Sequence, residues 1–293
     1  MQNTPPLRAR HRRALPRQFR QPKLLLAGCG DVAARIAAKV SGRYRVRALL
    51  RHTPDSSIWA TWRALGATPV AADLDNRLSL QRLKGLATQV IYLAPPADTT
   101  PANRHRDARL ERFLAALHGG RSLPRRLVLI GTTGVYGDCE GTLVAETRPL
   151  NAQTARGLRR VGAEATLRRW TRTRVRAGLS AGLAQQDTAH TRPNTGSILR
   201  VPGIYAGDRL PIERLKAGTP ALQATDDTWT NHIHADDLAE VCLKALEAGV
   251  AGDVFNVCDG EVSKMTDYFN TITDLMKLPR LPQVSLDEAK KVM

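Results

Sequence analysis

This 293-residue chain has no long apolar run. A bilayer-spanning helix needs about 20 consecutive apolar residues; no stretch approaches that length, and no hydrophobic signal core follows Met1. Cysteine is also scarce, and Cys29, Cys139, Cys242 and Cys258 lack the CxxC spacing of a zinc site or a disulfide framework. These absences predict a soluble cytoplasmic protein with reduced thiols and no metal.

Acidic residues are few beside the basic ones, and the distribution of the excess is informative. The chain has 44 Lys and Arg against 27 Asp and Glu, a net charge of +17. Residues 1–23 carry seven basic residues and no acid, and residues 151–192 carry nine arginines against two acids. Because the remainder is nearly balanced, a broad surface for nucleic acid is disfavoured.

The segment 1–22 is predicted to be a disordered basic tail, since its four prolines and few apolar residues cannot form a core. Two other interpretations stay open. An arginine-rich segment without acids can bind polyanions, and it also has the composition of an organellar transit peptide.

The most informative motif is a glycine-rich turn between an apolar strand and a helix. In Gly28-x-Gly30-x-x-Ala33, the first glycine allows a tight turn, the second lets a pyrophosphate approach the main chain, and Ala33 permits close packing. The anion would lie at the helix start, near Asp31 and Val32, where N–H groups and the helix dipole attract it. The alternative is an ordinary strand-to-helix turn that binds nothing.

Strand and helix patterns alternate from residue 23 onward, which predicts an α/β fold with a parallel sheet covered on both faces. Predicted strands are 23–27, 44–50, 68–71, 89–93, 126–130, 197–200 and 254–257. Predicted helices are 31–40, 58–65, 77–83, 106–117, 154–170 and 239–246. The polar, turn-rich stretch at about 171–196 is predicted to be a surface insertion or loop.

Further motifs follow the later strands in a fixed order: Ala71-Ala72-Asp73-Leu74, Leu93-Ala94-Pro95-Pro96, Thr132-Thr133-Gly134-Val135-Tyr136-Gly137-Asp138, Leu199-Arg200-Val201-Pro202-Gly203-Ile204-Tyr205 and Asn231-His232-Ile233-His234-Ala235-Asp236-Asp237-Leu238-Ala239. From about Lys23 to Thr271 the chain resembles the extended/atypical branch of the short-chain dehydrogenase/reductase superfamily, which includes the NAD-dependent epimerase/dehydratase family. The resemblance implies a Rossmann-type doubly wound parallel sheet with a small C-terminal substrate-binding subdomain. We expect residues 23–204 and 230–258 to form the dinucleotide-binding domain, and residues 205–229 and 259–293 the substrate-binding or lid region.

The resemblance also implies a dinucleotide site, formed by Gly28, Gly30, Asp31, Val32, Ala33, Arg51, His52, Asp73, Leu74, Ala94, Pro95, Pro96, Pro202, Gly203 and Ile204. Arg51 follows the second strand, where NAD-preferring sites present an acid to the ribose 2′-hydroxyl, and no carboxylate precedes Asp55 in this stretch. NADP is therefore favoured over NAD, unless Arg51 is only a solvated charge at a strand end.

One departure from the family concerns catalysis: the chain contains no Tyr-x-x-x-Lys. Alignment places Arg156 and Arg160 at those two positions, and an arginine cannot exchange protons near neutrality. Arg160 can still present charge to a ribose or an anionic substrate. Thr132 and Thr133 match the family residue that orients the substrate carbonyl. Tyr136 is the hypothetical proton-transfer residue; its alternative role is packing and hydrogen bonding in its turn.

These observations favour an NAD(P)-dependent oxidoreductase or epimerase acting on a small carbonyl, hydroxyl or nucleotide-sugar substrate. The alternative is an NADP(H)-binding sensor with reduced catalysis, as the missing tyrosine and lysine permit. Polyanion binding through the arginine-rich segments has the least support. The expected partner is a small molecule, a homodimer is a candidate assembly, and no membrane association is expected.

Overall fold

The computed structural model describes residues 21–97, 104–118, 123–180, 195–248 and 252–292. Its strands are β1 Lys23–Ala27, β2 Arg45–Leu50, β3 Thr68–Ala71, β4 Gln89–Tyr92, β5 Arg126–Ile130, β6 Thr195–Arg200, β7 Gly203–Tyr205, β8 Ala221–Leu222, β9 Trp229–His234, β10 Val254–Asn256, β11 Val262–Lys264 and β12 Gln283–Val284. Its α-helices are α1 Asp31–Lys39, α2 Ser57–Ala64, α3 Ala108–His118, α4 Ala155–Ser180, α5 Ile212–Lys216, α6 Ala235–Ala248, α7 Met265–Met276 and α8 Leu286–Val292. Short 3-10 helices cover Ser79–Leu83 and Thr133–Val135.

The main sheet contains seven parallel strands within the described ranges, in the order β3-β2-β1-β4-β5-β6-β10. Strand order reverses between β1 and β4. At such a switch point the carboxyl ends of the strands open a crevice that commonly binds ligands. The prediction of a Rossmann-type doubly wound sheet is confirmed.

The central strand β1 is apolar on both faces because helices cover both sides of the sheet. Leu24 and Leu26 belong to one apolar cluster with Ile36 of α1, whereas Leu25 belongs to a second cluster with Phe113 of α3. All five side chains are fully buried. This alternation follows from the two-residue period of a strand, and burying each leucine stabilises the fold by about 1.5–3 kcal/mol.

Two predicted elements differ from the structure. Helix α4 continues to Ser180, so the predicted loop was wrong for residues 171–180, while residues 181–194 lie outside the described ranges. Arginine and alanine favour helix even where apolar periodicity fails. The predicted helix at 77–83 is instead a 3-10 turn, because Asn76 Oδ1 accepts the N–H of Leu78 and Ser79 Oγ bonds the Asp73 backbone.

Beyond the main sheet, β7 pairs with β9 in parallel and β11 pairs with β9 antiparallel, and β8 pairs with β12. Next to these strands lies a third apolar cluster, made of Leu215, Ala221, Phe269, Ile272 and Leu281. The expected division into a dinucleotide-binding domain and a substrate-binding region stays a prediction. The basic tail lies outside the described residues, apart from residues 21 and 22.

No helix in the described ranges is long and apolar enough to cross a membrane.

Candidate functional site

Two clefts at the carboxyl edge of the main sheet contain the glycine turn and the Thr132–Thr133 turn, and a third cleft of about 470 Å³ shares Arg51, Ala72 and Asp73 with the first. The first cleft, of about 320 Å³, is lined by Gly28, Cys29, Gly30, Leu49, Leu50, Arg51, His52, Ala72, Asp73, Leu74, Leu93, Ala94, Pro95 and Arg109. The second cleft, of about 580 Å³, is lined by Thr132, Thr133, Gly134, Thr154, Arg156, Gly157, Pro202, Gly203, Ile204, Arg209, Trp229, Thr230 and Asn231. The motifs that follow β1 to β4 thus meet in the first cleft, and those that follow β5 and β6 meet in the second.

Two glycines of different character build the turn after β1. Gly28 has a φ of +96°, and a Cβ at this position would lie 2.3 Å from the backbone nitrogen of Ala94. A side chain is therefore excluded both by conformation and by space. Gly30 is the N-cap of α1, and a Cβ there would meet no described atom within 4 Å.

The space in front of Gly30 adjoins the first turn of α1, whose N–H groups have no acceptor within the helix. A diphosphate needs an open approach to the main chain and unpaired N–H donors, and this cradle offers both. The residues present therefore fit the phosphates of a dinucleotide.

Asp31 adds a carboxylate at the same helix start, and two arginines offset its charge. Its Oδ2 accepts from Arg209 Nη1 at 3.0 Å, and its Oδ1 accepts from Arg35 Nε at 3.0 Å. Arg35 also bonds Asp208 and Asp236, at 2.8 and 3.1 Å. The paired carboxylate therefore repels an incoming anion much less than a free one would.

Arg51 is exposed at the end of β2 and lines the first cleft. It makes no ion pair with any carboxylate of the described residues. The neighbouring His52 carbonyl accepts from Trp59 Nε1 at 2.8 Å, which fixes the loop. Asp73 also lines this cleft, and its Oδ1 accepts the N–H of Asp75 at 2.9 Å. A phosphate beside Arg51 would meet an available guanidinium.

Thr132, Thr133 and Arg156 line the second cleft together, and their catalytic role stays a prediction. Thr132 Oγ1 accepts the N–H of Gly134 at 3.2 Å, which fixes the turn after β5. Thr133 donates its backbone N–H to the Val201 carbonyl at 3.2 Å, joining this turn to the end of β6. Hydroxyl groups beside a guanidinium can orient a carbonyl oxygen or bind an oxyanion.

The structure does not bring Tyr136 to this centre. Tyr136 is only 4% exposed and lines neither cleft. Its hydroxyl donates to Asn256 Oδ1 at 2.7 Å and accepts from Arg200 Nη1 at 2.6 Å. These contacts correspond to the alternative role, packing and hydrogen bonding.

Arg160 is also held away from the clefts. It is 6% exposed, and its Nη1 donates to the carbonyls of Ile130 and Ala94, at 3.0 and 3.4 Å. Burial lowers the pKa of this guanidinium from its ordinary value, and attraction to the buried Asp107 partly opposes that shift. Arg160 therefore joins the ends of β4 and β5, where the sequence suggested a contact with a ribose or substrate.

The side chains of Val32 and Ala33 are buried against the core, which fits the close packing expected at Ala33, and Asp31 and Pro96 line neither cleft. The assignment of these four residues to a dinucleotide site stays a prediction. Arg109 lines the first cleft and Arg209 the second. The sequence did not single them out, because nothing local distinguishes them in an arginine-rich chain. Trp229 also lines the second cleft and was not predicted to do so. A large aromatic side chain two residues before Asn231 could have indicated it. The described residues contain no group of three His, Cys, Asp or Glu side chains that could hold a metal ion.

Comparison with known proteins places this geometry in a family. The model of the NAD dependent epimerase/dehydratase family matches residues 36–258. Protein YeeZ of Escherichia coli strain K12 is 30% identical over 134 residues, which cover 45% of this chain and 39% of YeeZ. The chain thus matches about two fifths of the length of this curated relative.

Solved structures share the fold. A dTDP-glucose 4,6-dehydratase from Streptomyces venezuelae, DesIV, solved as a double mutant with NAD and DAU bound, has a TM-score of 0.69 and 16% identity, over 90% of this chain and 84% of that one. A UDP-N-acetylglucosamine 4-epimerase from Methanobrevibacter ruminantium M1 has a TM-score of 0.67 and 13% identity, over 90% and 86%. A conserved protein of unknown function from Silicibacter pomeroyi DSS has a TM-score of 0.64 and 24% identity, over 92% and 83%.

Proposed function

The chain belongs to the NAD dependent epimerase/dehydratase family, and we propose that it binds NADP(H) and acts as an oxidoreductase or epimerase on a small carbonyl, hydroxyl or nucleotide-sugar substrate. One observation carries the proposal. The open glycine cradle at the start of α1 and the Thr132–Thr133 turn belong to two clefts at the same edge of one sheet. A dinucleotide and a small substrate need this pair of sites.

In the proposed complex, the main chain around Gly28 and Gly30 and the first turn of α1 hold the diphosphate. Arg51 contacts the 2′-phosphate, because its guanidinium has no carboxylate partner among the described residues. Leu74 and Asp73 border the adenine. These assignments favour NADP over NAD, since a phosphate gains a charge-assisted hydrogen bond at Arg51.

A bound nicotinamide supplies hydride transfer. Thr132 and Thr133 would position the substrate oxygen through their hydroxyl groups. Arg156 would hold positive charge beside that oxygen and stabilise negative charge that develops there. Arginine does not release a proton near neutral pH, so none of these groups is a strong general acid. The proton has to come from solvent or from the substrate itself.

The lack of a strong general acid among the described residues of the second cleft favours a second candidate function. Tyr136 and Arg160 are both committed to buried contacts, and Arg156 replaces the family tyrosine. A protein of this kind could bind NADP(H) and report its redox state without turnover. Consumption of NADPH in the presence of a library of carbonyl compounds distinguishes the enzyme, which oxidises NADPH, from the sensor, which does not.

The binding step is tested by titrating the folded protein with NADPH while following nucleotide fluorescence, with NADP⁺, NADH and NAD⁺ as competitors. We expect saturable NADPH binding that NADP⁺ reverses at lower concentration than NAD⁺. Circular dichroism on the same sample establishes that the protein is folded. Failure of all four nucleotides to bind the folded protein would refute the proposal.

A further inference from the structure

Among the described residues, the lining of the second cleft contains basic side chains and no acidic one. Two arginines line it, Arg156 from the first turn of α4 and Arg209 from the segment after β7, and no carboxylate lines it. Its other polar groups include the hydroxyls of Thr132 and Thr133 and the amide of Asn231. A volume of about 580 Å³ lies within the range typical of small-molecule sites.

Arg156 has no counter-charge within the described structure. It is exposed, and it forms no ion pair with a described Asp or Glu. It also lies four residues before Arg160 on the same helix, and its charge contributes to lowering the pKa of Arg160. Like charges at this spacing destabilise a helix. An uncompensated cation in a cleft is therefore a feature that a bound anion would relieve.

Arg209 has spare donors. Its Nη1 bonds Asp31, but Nε and Nη2 make no hydrogen bond with any described residue. Asp31 is at the same time bonded by Arg35. Arg209 can therefore donate to a ligand through its free nitrogens without leaving Asp31 unpaired.

We infer that the second cleft takes an anionic substrate, a carboxylate or a phosphate monoester of small-molecule size, whose oxygens are bound by Arg156 and Arg209. Guanidinium groups suit both anions, because their planar N–H pairs match two oxygens at once. A neutral ligand would cover Arg156 without supplying the counter-charge that this guanidinium lacks, which is costly. Trp229 is 55% exposed in the same cleft, and Lys264 Nζ lies 4.6 Å from its ring centroid. The exposed part of the ring can give apolar contact to the remainder of the ligand.

This inference deepens the proposed function and rests on it for the role of the ligand as substrate. The test uses calorimetry on the full chain saturated with NADP⁺. The probes are phenyl phosphate, phenylacetate and the neutral 2-phenylethanol, which share a ring and differ in charge. We expect at least one anion to bind at least tenfold more tightly than 2-phenylethanol, and the preferred anion identifies the phosphate or carboxylate class.

Variants then locate the site. Arg156→Gln should weaken anion binding at least tenfold, Arg156→Lys should recover part of the loss, and Arg209→Gln provides an independent second variant. The matched control is Arg172→Gln, which removes the same charge from an exposed position of α4 outside the cleft lining. It should change anion affinity less than twofold.

The outcomes separate the two proposals. If NADP⁺ binds but the neutral probe binds as tightly as both anions, or if Arg172→Gln weakens anion binding as much as Arg156→Gln, the anion site is refuted. If no nucleotide binds, the proposed function fails, and the same titrations without nucleotide still decide whether Arg156 and Arg209 form an anion site.

Discussion

Arg200 and Glu164 form a two-point ion pair in the interior of the protein, with Nε to Oε1 at 2.9 Å and Nη2 to Oε2 at 2.7 Å. Each residue is only 1% exposed. Arg200 ends β6 and Glu164 lies on α4, so the pair joins the sheet to a covering helix. The third nitrogen of Arg200, Nη1, donates to the Tyr136 hydroxyl and to the Glu146 carbonyl.

Replacing Glu164 should therefore destabilise the fold strongly. Glu164→Gln leaves the Arg200 charge buried without a counter-ion, which typically costs about 3–5 kcal/mol. Urea unfolding at neutral pH measures the loss. Arg168→Gln is the control, because Arg168 contacts the same carboxylate at 3.4 Å but is 41% exposed; it should cost less than about 1 kcal/mol. Equal losses for the two variants would contradict the prediction.

The two glycines after β1 should respond differently to alanine. Gly28→Ala should destabilise the protein by about 2–4 kcal/mol, from a strained φ and a clash with Ala94. Gly30→Ala has free space for its methyl group, so the melting temperature should be nearly unchanged. That methyl would nevertheless occupy the proposed phosphate approach and weaken NADPH binding at least tenfold. Unaltered NADPH affinity in Gly30→Ala would remove the diphosphate assignment.

Reversing the charge at Arg51 should change cofactor preference. Arg51→Glu places a carboxylate beside the proposed 2′-phosphate, so the ratio of NADP⁺ to NAD⁺ affinity should fall at least tenfold. The control Lys84→Glu makes the same change in net charge at an exposed position that lines neither cleft. Calorimetric titration of both nucleotides checks the prediction, and an unchanged ratio in Arg51→Glu would exclude Arg51 as the determinant.

Removing either of two buried tyrosine hydroxyls should have opposite effects on the free energy of unfolding. Tyr136→Phe removes an acceptor for the Arg200 cation and a donor to Asn256, which should cost about 1–3 kcal/mol. Tyr92→Phe removes a buried hydroxyl that has no hydrogen-bond partner among the described residues, so it should be neutral or stabilising. Folded Tyr136→Phe should keep any turnover measured for the native protein. Abolished turnover in a stable variant would return Tyr136 to a catalytic role.

The buried thiol of Cys242 should make stability fall at alkaline pH. Burial raises its pKa from 9.0 to about 12. Between these values the unfolded chain releases the thiol proton while the folded protein keeps it, so the unfolding free energy decreases as pH rises above about 9. Between pH 9 and pH 10, the unfolding free energy of Cys242→Ala should fall by about 1 kcal/mol less than that of the native protein. Replacing the exposed Cys258 by alanine should leave the pH dependence of the unfolding free energy unchanged.

The start of the main sheet was predictable because its signals are local. The apolar run of β1, the glycines that follow it and the helical spacing after Asp31 lie within 15 residues of each other. The end of α4 was not predictable in this way. Its later residues are polar and lack apolar periodicity, and the propensity of arginine for helix extended the element to Ser180.

The roles of Tyr136 and Arg160 depended on distant partners. The Tyr136 hydroxyl is committed by Arg200 and Asn256, 64 and 120 residues away along the chain. The Arg160 guanidinium is committed by the Ile130 carbonyl, 30 residues away. Only the folded sheet brings these groups together, so the sequence motifs alone could not show that Tyr136 and Arg160 are held in buried contacts and line neither cleft.

The pairing of β8 with β12 has a consequence for synthesis on the ribosome. Ala221 emerges about 60 residues before its partner Gln283, and the apolar cluster around Leu215 needs Phe269 and Leu281 as well. At a synthesis rate of roughly 5–20 residues per second, the segment around Leu215 and Ala221 is synthesised on the order of 3–12 s before its partners. During that interval its apolar side chains are open to chaperones, whereas the strands β1 to β5 can already assemble.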